Sequence, residues 1–208
     1  MTLQKRDCPI KIRAYPTGSQ FSCVEFDIHA DHFRFAPSAA LGCHFGDFAK
    51  ALYALYYEEF DPHAEWNSCH SEVGENGGIE AMVSKVEWDN EGELLYITMR
   101  RSWLPDADDI IELKLETELV MPPFQKTYRV AGRDLCYAVG KCCTELLKKY
   151  GVYGYHTAAE GDLLPLHQVL FLKAHGLQVR EPRMLRAADP FVTGTDFEKE
   201  MELLRFDM

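Results

Sequence analysis

A run of alternating segments in the middle of the chain constrains the fold most. Within residues 109–119, three apolar residues and Thr117 alternate with four charged side chains. Because successive side chains of a strand point to opposite faces, this pattern predicts a strand with one buried face. The segments 79–88 and 93–103 flank an Asp-Asn-Glu-Gly turn and predict a hairpin. With a further strand over 124–130, the middle of the chain is predicted to form an antiparallel meander.

The segments before the meander predict strands followed by a helix. Apolar and acidic residues alternate over 21–28, and residues 11–15 are the expected partner strand. Residues 32–35 either extend the second strand or form a third. Apolar residues then recur at three- and four-residue steps over 42–59, which is typical of an amphipathic helix.

Three helices are predicted after the meander. The first begins at residue 133 or 134 and ends at Tyr150, with Gly151 as a left-handed cap. The second covers 164–175, and the last begins at the capping-box pattern of residues 195–198.

Two stretches lack a clear period. Residues 61–78 are polar and glycine-containing, and they predict a long loop, with a short buried strand around Trp66 as the alternative. Residues 177–194 are predicted to be irregular.

This order of elements predicts an α+β fold, in which an antiparallel β-sheet meander has helices packed mainly on one face and a helical C-terminal region follows. We expect residues 1–150 to form the sheet core with two helices. Residues 151–208 are expected to be a helical extension packed on the same domain.

Charge and composition exclude several classes of protein. The 208 residues carry a formal net charge of −11, which disfavours a general nucleic-acid binder and suits a basic protein partner. The longest apolar run, residues 51–57, is too short to span a membrane. The first residues lack the apolar segment of a secretory signal, and the cysteine number, 7, is odd. We therefore expect a cytoplasmic protein without a disulfide scaffold.

A histidine and cysteine cluster is the first candidate for chemistry. Zinc is bound by imidazole and thiolate groups, and several such residues lie between positions 23 and 70. The pattern lacks Cys-x-x-Cys and His-Glu-x-x-His spacing, and adjacent strand residues point to opposite faces. Buried cysteines and surface histidines are the simpler interpretation. The candidate metal ligands are His29, His32, Cys43, His44, Cys69 and His70.

Other catalytic arrangements are weaker. Cys136, Cys142 and Cys143 lie on one predicted helix, but no activating motif surrounds them. The acidic groups at 58–59 and 106–109 are interpreted as solvated faces. We therefore predict no catalytic residue and no cofactor, and a non-enzymatic protein is favoured over a small enzyme or metal-binding protein that uses residues 23–70.

Aromatic residues supply the candidates for partner binding. Tryptophan and tyrosine are frequent at the centres of interfaces, although both are also common in cores. A homo-oligomeric accessory subunit is a further alternative, because an unpaired sheet edge can be covered by a second copy. The candidates are Trp66, Trp103, Tyr153 and Tyr155.

The order of elements also resembles a family. Residues 45–48 (Phe-Gly-Asp-Phe) open a helix after an early strand, residues 89–92 form the hairpin turn, and Asp134-Leu135 lead from the last strand into a helix. Over residues 21–150 this arrangement is similar to small bacterial immunity-type proteins of polymorphic toxin systems. The resemblance implies a stoichiometric binder of a cognate, often basic, toxin domain. It supplies no functional residues, since it has no diagnostic motif.

Overall fold

A computed structural model describes most of the chain. The described residues are 7–16, 22–36, 45–57, 68–90, 92–104, 106–118, 123–158, 164–179, 184–186, 193–195, 197–206 and 208. They form two antiparallel sheets, a short additional β-ladder and four helices, which confirms the predicted α+β class.

The first sheet has three strands in the order β1-β2-β3. They are β1 (Ile10–Pro16), β2 (Ser22–Ile28) and β3 (Asp31–Phe35), so residues 32–35 belong to a separate third strand. A two-residue turn joins β2 to β3, and His29 in this turn has a positive φ of 56°. Few residues other than glycine adopt that conformation, so His29 serves the tight reversal of the chain.

The second sheet has five strands in the order in which they follow each other along the chain. All neighbours pair antiparallel, which confirms the predicted meander. The prediction of a loop throughout 61–78 is wrong for its second half, because the first of the five strands lies there. The strands are β4 (Ser68–Val73), β5 (Ile79–Asn90), β6 (Glu93–Ser102), β7 (Ile110–Glu118) and β8 (Gln125–Ala131).

Four helices complete the fold: α1 (Phe45–Ala54), α2 (Gly132–Ala158), α3 (Leu166–Gly176) and α4 (Phe197–Arg205). Gly151 breaks α2 with a φ of 66° and a ψ of 176°, which lies outside the left-handed helical region, so the prediction of a left-handed cap is wrong. A second helical segment follows it. The prediction of irregular chain over 177–194 is wrong in part, since β9 (Met184–Arg186) pairs with β10 (Thr193–Thr195). Within the described ranges, no helix is long and apolar enough to cross a bilayer.

Both sheets bury one face in a shared core. At its centre, the rings of Phe26 on β2, Phe48 on α1 and Trp88 on β5 lie within 6.2 Å of one another. All three side chains are completely buried. Tilted and edge-to-face aromatic contacts of this kind add to the stabilisation from burial. The triad therefore joins both sheets to the first helix.

Helix α3 packs closely on α2 and contributes Val169, Phe171 and Leu172 to the same core. A side chain at Gly176 would place its Cβ 2.6 Å from the backbone of Tyr137. Only glycine allows the two helix backbones to approach this closely. Helix α4 docks on α3 through a small separate cluster of Leu203 with Leu170 and Ala174.

Replacing Gly176 with alanine is therefore expected to destabilise the fold. The added methyl group meets backbone atoms of Tyr137, which cannot move aside as a flexible side chain would, so the helices must separate. We expect the free energy of unfolding to fall by about 1–3 kcal/mol, the usual cost of overpacking. Urea unfolding measures the change. Gly78→Ala is the control, because nothing lies within 4 Å of that position; equal stability of both variants would contradict the prediction.

Candidate functional site

The histidines predicted as metal ligands near the first sheet serve other roles. His29 occupies the β2–β3 turn, and its ring lies 6.4 Å from that of Tyr128. His32 lies on the outer face of β3, where its Nδ1 is 2.7 Å from a carboxylate oxygen of Asp27. Asp27 also receives a hydrogen bond from Arg13 at 2.8 Å. This pairing places His32 in a surface network of side chains.

The other candidate metal ligands include two adjacent residues of β4 in the second sheet. Cys69 on β4 is half-buried, and its thiol lies 3.7 Å from the carbonyl oxygen of Ala54. His70, the next residue, is exposed on the opposite face. Cys43 and His44 lie outside the described residues. In the part of the chain that the structure describes, no three His, Cys, Asp or Glu side chains are grouped so as to hold a metal ion.

The cysteines of α2 are buried. Cys136, Cys142 and Cys143 are at most 1% exposed. Burial raises the pKa of the Cys142 thiol well above its ordinary value, which is opposite to the lowered pKa of a reactive cysteine.

The four candidates for partner binding lie in different segments of the chain. Trp103 follows β6, is half-buried, and lies with its ring 5.5 Å from the guanidinium carbon of Arg101. Tyr153 and Tyr155 lie in the helical segment after Gly151, and their side chains lie outside the described residues. Trp66 also lies outside them. Of the four candidates, Trp103 is the one whose side chain lies within the described residues.

A group of four polar side chains around Asp109 was not predicted. Arg101 Nε donates a hydrogen bond to Asp109 Oδ1 at 3.0 Å, and the Tyr56 hydroxyl donates to the same oxygen at 3.1 Å. His175 Nε2 lies 3.0 Å from Asp109 Oδ2. The guanidinium of Arg101 also covers the Tyr56 ring at 4.4 Å. We call these four residues the Asp109 cluster.

The Asp109 cluster joins separate parts of the fold. Asp109 immediately precedes β7, Arg101 is near the end of β6, Tyr56 follows α1 and His175 ends α3. The backbone of Asp109 accepts a further hydrogen bond from the amide of Gly132, where α2 begins, at 2.7 Å. A side chain at Gly132 would collide with Tyr56 and Asp109. Asp109 thus joins its own strand to β6, α1 and α3 through its carboxylate and to α2 through its backbone carbonyl.

The interpretation of Asp109 as part of a solvated acidic face is wrong. Its side chain is 32% exposed and forms an ion pair with Arg101. Burial alone would raise its pKa, but the hydrogen bonds and charges of His175 and Arg101 outweigh burial, and the pKa of Asp109 lies well below its ordinary value. Tyr56 and His175 are 53 and 66 residues away from Asp109 in the sequence, so no local pattern indicates that they contact it.

Chemically, the Asp109 cluster orients an imidazole and holds a carboxylate in its ionised form. His175 is 25% exposed and its ring lies between those of Tyr56 and Phe171. Among the described residues, the hydrogen bonds of Asp109 join its segment to other structural elements. We therefore interpret the cluster as an anchor rather than a reaction centre.

The outer face of the five-stranded sheet carries the strongest electrostatic feature. Tyr96 on β6 lies in register between Glu87 on β5 and Glu116 on β7. In the adjacent row, Asp89 and Glu118 flank the next outward position of β6. Side chains paired across strands are about 5 Å apart and diagonal neighbours about 7–8 Å apart, so Tyr96 has two carboxylates beside it and two diagonal to it. We call Glu87, Asp89, Glu116 and Glu118 the acidic quartet.

The quartet creates a negative potential at Tyr96. The tyrosine hydroxyl donates a hydrogen bond to Glu118 Oε2 at 3.0 Å. Partial burial, this hydrogen bond and the charges of Glu118, Glu87 and Asp89 raise the pKa of Tyr96 to about 12. The next row holds Lys85 and Lys114, and Lys114 pairs with Glu116 at 2.7 Å. The negative charge is therefore concentrated at the hairpin end of the sheet.

Comparisons of the chain with protein family models, with curated proteins and with solved structures find no match.

The Asp109 cluster predicts a pH-dependent contribution to stability. In Asp109→Asn, an amide replaces a charged acceptor of three side-chain hydrogen bonds, and we expect the free energy of unfolding at pH 7 to fall by about 1–3 kcal/mol. The pKa of Asp109 is lowered by folding, so its stabilisation is complete above its unfolded pKa of about 3.9 and is lost as the pH falls below that value.

Urea unfolding between pH 3 and pH 7 tests this prediction. The difference between wild type and Asp109→Asn should shrink as the pH decreases. The exposed neighbour Asp108 gives the matched control, since Asp108→Asn should change stability by less than about 0.5 kcal/mol at every pH. A constant difference between wild type and Asp109→Asn over the whole range would refute the electrostatic role.

Proposed function

We propose that the protein is a non-enzymatic binding module for a basic protein partner, which docks on the acidic quartet and Tyr96. The observation that carries this proposal is the concentration of like charges around one aromatic ring on an open sheet face. The resemblance to immunity-type proteins agrees with it, since those proteins bind a cognate, often basic, toxin domain.

The quartet concentrates like charges on the two sides of β6. Glu87 and Asp89 on β5 lie two strand spacings, about 10 Å, from Glu116 and Glu118 on β7. Another row of the same face balances its charges, since Glu112 lies in register between Arg100 and Arg129. A sheet that balances its charges in one row and accumulates them in another is typical of a surface whose charge serves recognition.

Tyr96 supplies the apolar contact that such a surface needs. Tyrosine combines a rigid ring with a polar end, and it is enriched among residues that dominate binding energy. Its hydrogen bond to Glu118 holds the ring against the sheet before a partner arrives. A lysine or arginine of the partner would contact the ring face and the carboxylates around it.

We place the protein in the cytoplasm. None of the six cysteines that the structure describes forms a disulfide, and the net charge of −11 favours encounter with basic partners. Attraction between exposed charges is screened by salt, so the complex is expected to weaken as the ionic strength rises.

A pair of charge reversals tests the proposal. Glu87→Lys places a positive charge inside the quartet, whereas Glu112→Lys makes the same change of net charge in the balanced row. We expect Glu87→Lys to reduce retention of the partner roughly tenfold while folding stability stays equal or rises. Glu112→Lys should lower folding stability, because it puts three positive charges side by side, and leave retention unchanged.

The measurement is affinity capture of the tagged protein from lysate of its own source cells, with quantitative mass spectrometry at low and high salt. Stability is followed separately by urea unfolding. Equal loss of the partner from both variants would show that only net charge matters and would refute a site at the quartet. Full retention by Glu87→Lys would do the same.

A further inference from the structure

A second surface lies at the opposite end of the five-stranded sheet. Among the described residues, Val73 and Leu104 are the most exposed large hydrophobic side chains, at 60% and 54%. Val73 is the last residue of β4 and Leu104 follows β6. The two residues are 31 positions apart in the sequence. Water-exposed apolar residues are ordinary when scattered singly. Two of them from distant segments at one place require an explanation.

The register of the sheet brings these residues together. Val73 pairs with Ile79 at the beginning of β5. On the other side of β5, the amide of Trp103 donates to the carbonyl of Glu80 at 2.8 Å. Val73 and the Trp103–Leu104 segment therefore flank the start of the same strand, two strand spacings or about 10 Å apart. We call Val73, Trp103 and Leu104 the apolar tip.

The apolar tip is held rigidly on the side of β6. Arg101 lies between the rings of Trp103 and Tyr56 and is fixed by Asp109. The amide of Ala107 donates to the carbonyl of Leu104 at 3.0 Å, which closes the turn after it. The Asp109 cluster thus anchors the far end of this loop to α1, α2 and α3. Fixing Trp103 and Asp109 before a partner arrives lowers the conformational entropy that binding costs.

Acidic residues surround the apolar tip. Glu75 follows Val73, Glu80 begins β5, and Asp106 and Asp108 follow Leu104, all of them exposed. The basic residues at this end of β6 are already paired, Arg100 with Glu72 and Arg101 with Asp109. The rim around the tip is therefore negative.

We propose that the apolar tip is a second docking surface, which inserts Leu104 and Val73 into an apolar pocket rimmed by lysine or arginine on the protein partner. Charge complementarity identifies this occupant, because a second copy of the chain would place one acidic rim against another. The inference rests on the proposed function only in taking the partner to be a basic protein. Along β6 the tip is about 30 Å from the acidic quartet, so the two surfaces are tested independently.

Photo-crosslinking in the source cells provides the test. A photoreactive phenylalanine analogue replaces Leu104 in one variant and Tyr96 in another, and crosslinked peptides are identified by mass spectrometry. We expect the analogue at 104 to crosslink to a different protein, at an apolar segment flanked by basic residues. In affinity capture, Leu104→Ser should reduce retention about tenfold. Tyr15→Ser should leave it unchanged, since Tyr15 is a similarly exposed apolar residue on the other sheet.

Each of the other crosslinking results decides for or against the apolar tip, the acidic quartet or both. Crosslinks from position 104 to a second copy of the chain would overturn the proposed occupant and indicate self-association. Crosslinks from position 96 alone would overturn the apolar tip and leave the proposed function intact. Crosslinks from 104 alone would support the tip and overturn docking at the quartet. An absence of crosslinks from both positions would overturn both proposals.

Discussion

The fold depends on packing between two sheets that share no ladder among the described residues. The aromatic triad of Phe26, Phe48 and Trp88 forms the centre of this contact, with all three rings fully buried. Because buried side chains rather than a backbone ladder join the sheets at this point, their relative placement is set largely by the shapes that fill the space between them. The position of β3 beside β8, where Phe33 stacks on Phe124 at 4.8 Å, extends the same packing to the edge.

A partly buried charge fixes what apolar packing leaves undetermined. Apolar contacts are not directional, whereas an ionised carboxylate in a partly buried site must be satisfied by specific donors. Asp109 meets that requirement with donors from β6, from the end of α1 and from α3, so those elements have one mutual arrangement. The loop that carries Trp103 and Leu104 ends at this anchor. Trp103 of the apolar tip is thus fixed to the same anchor as these elements.

The sequence predicts best those strands that bury one face and expose the other. The meander is predictable because β6 and β7 bury one face and expose the other, so apolar and polar residues alternate along their sequences. Strand β4 was missed because it lies at an edge and residues 70–73 are all exposed, so no buried face imposes a period. Asp109 was misinterpreted for a related reason: its environment depends on Arg101, Tyr56 and His175, whose positions only the fold defines.

The sequence by itself determined the class of the fold, the order of the meander and the excess of negative charge, because alternation, helical periodicity and net charge are local or additive properties. The tertiary structure decided where that charge is concentrated and which residues meet. Glu87 and Glu116 are 29 residues apart by their numbering, yet the register of three strands places both beside Tyr96. Convergence of this kind depends on strand pairing and core packing between distant segments, and neither is encoded in any short stretch of the chain.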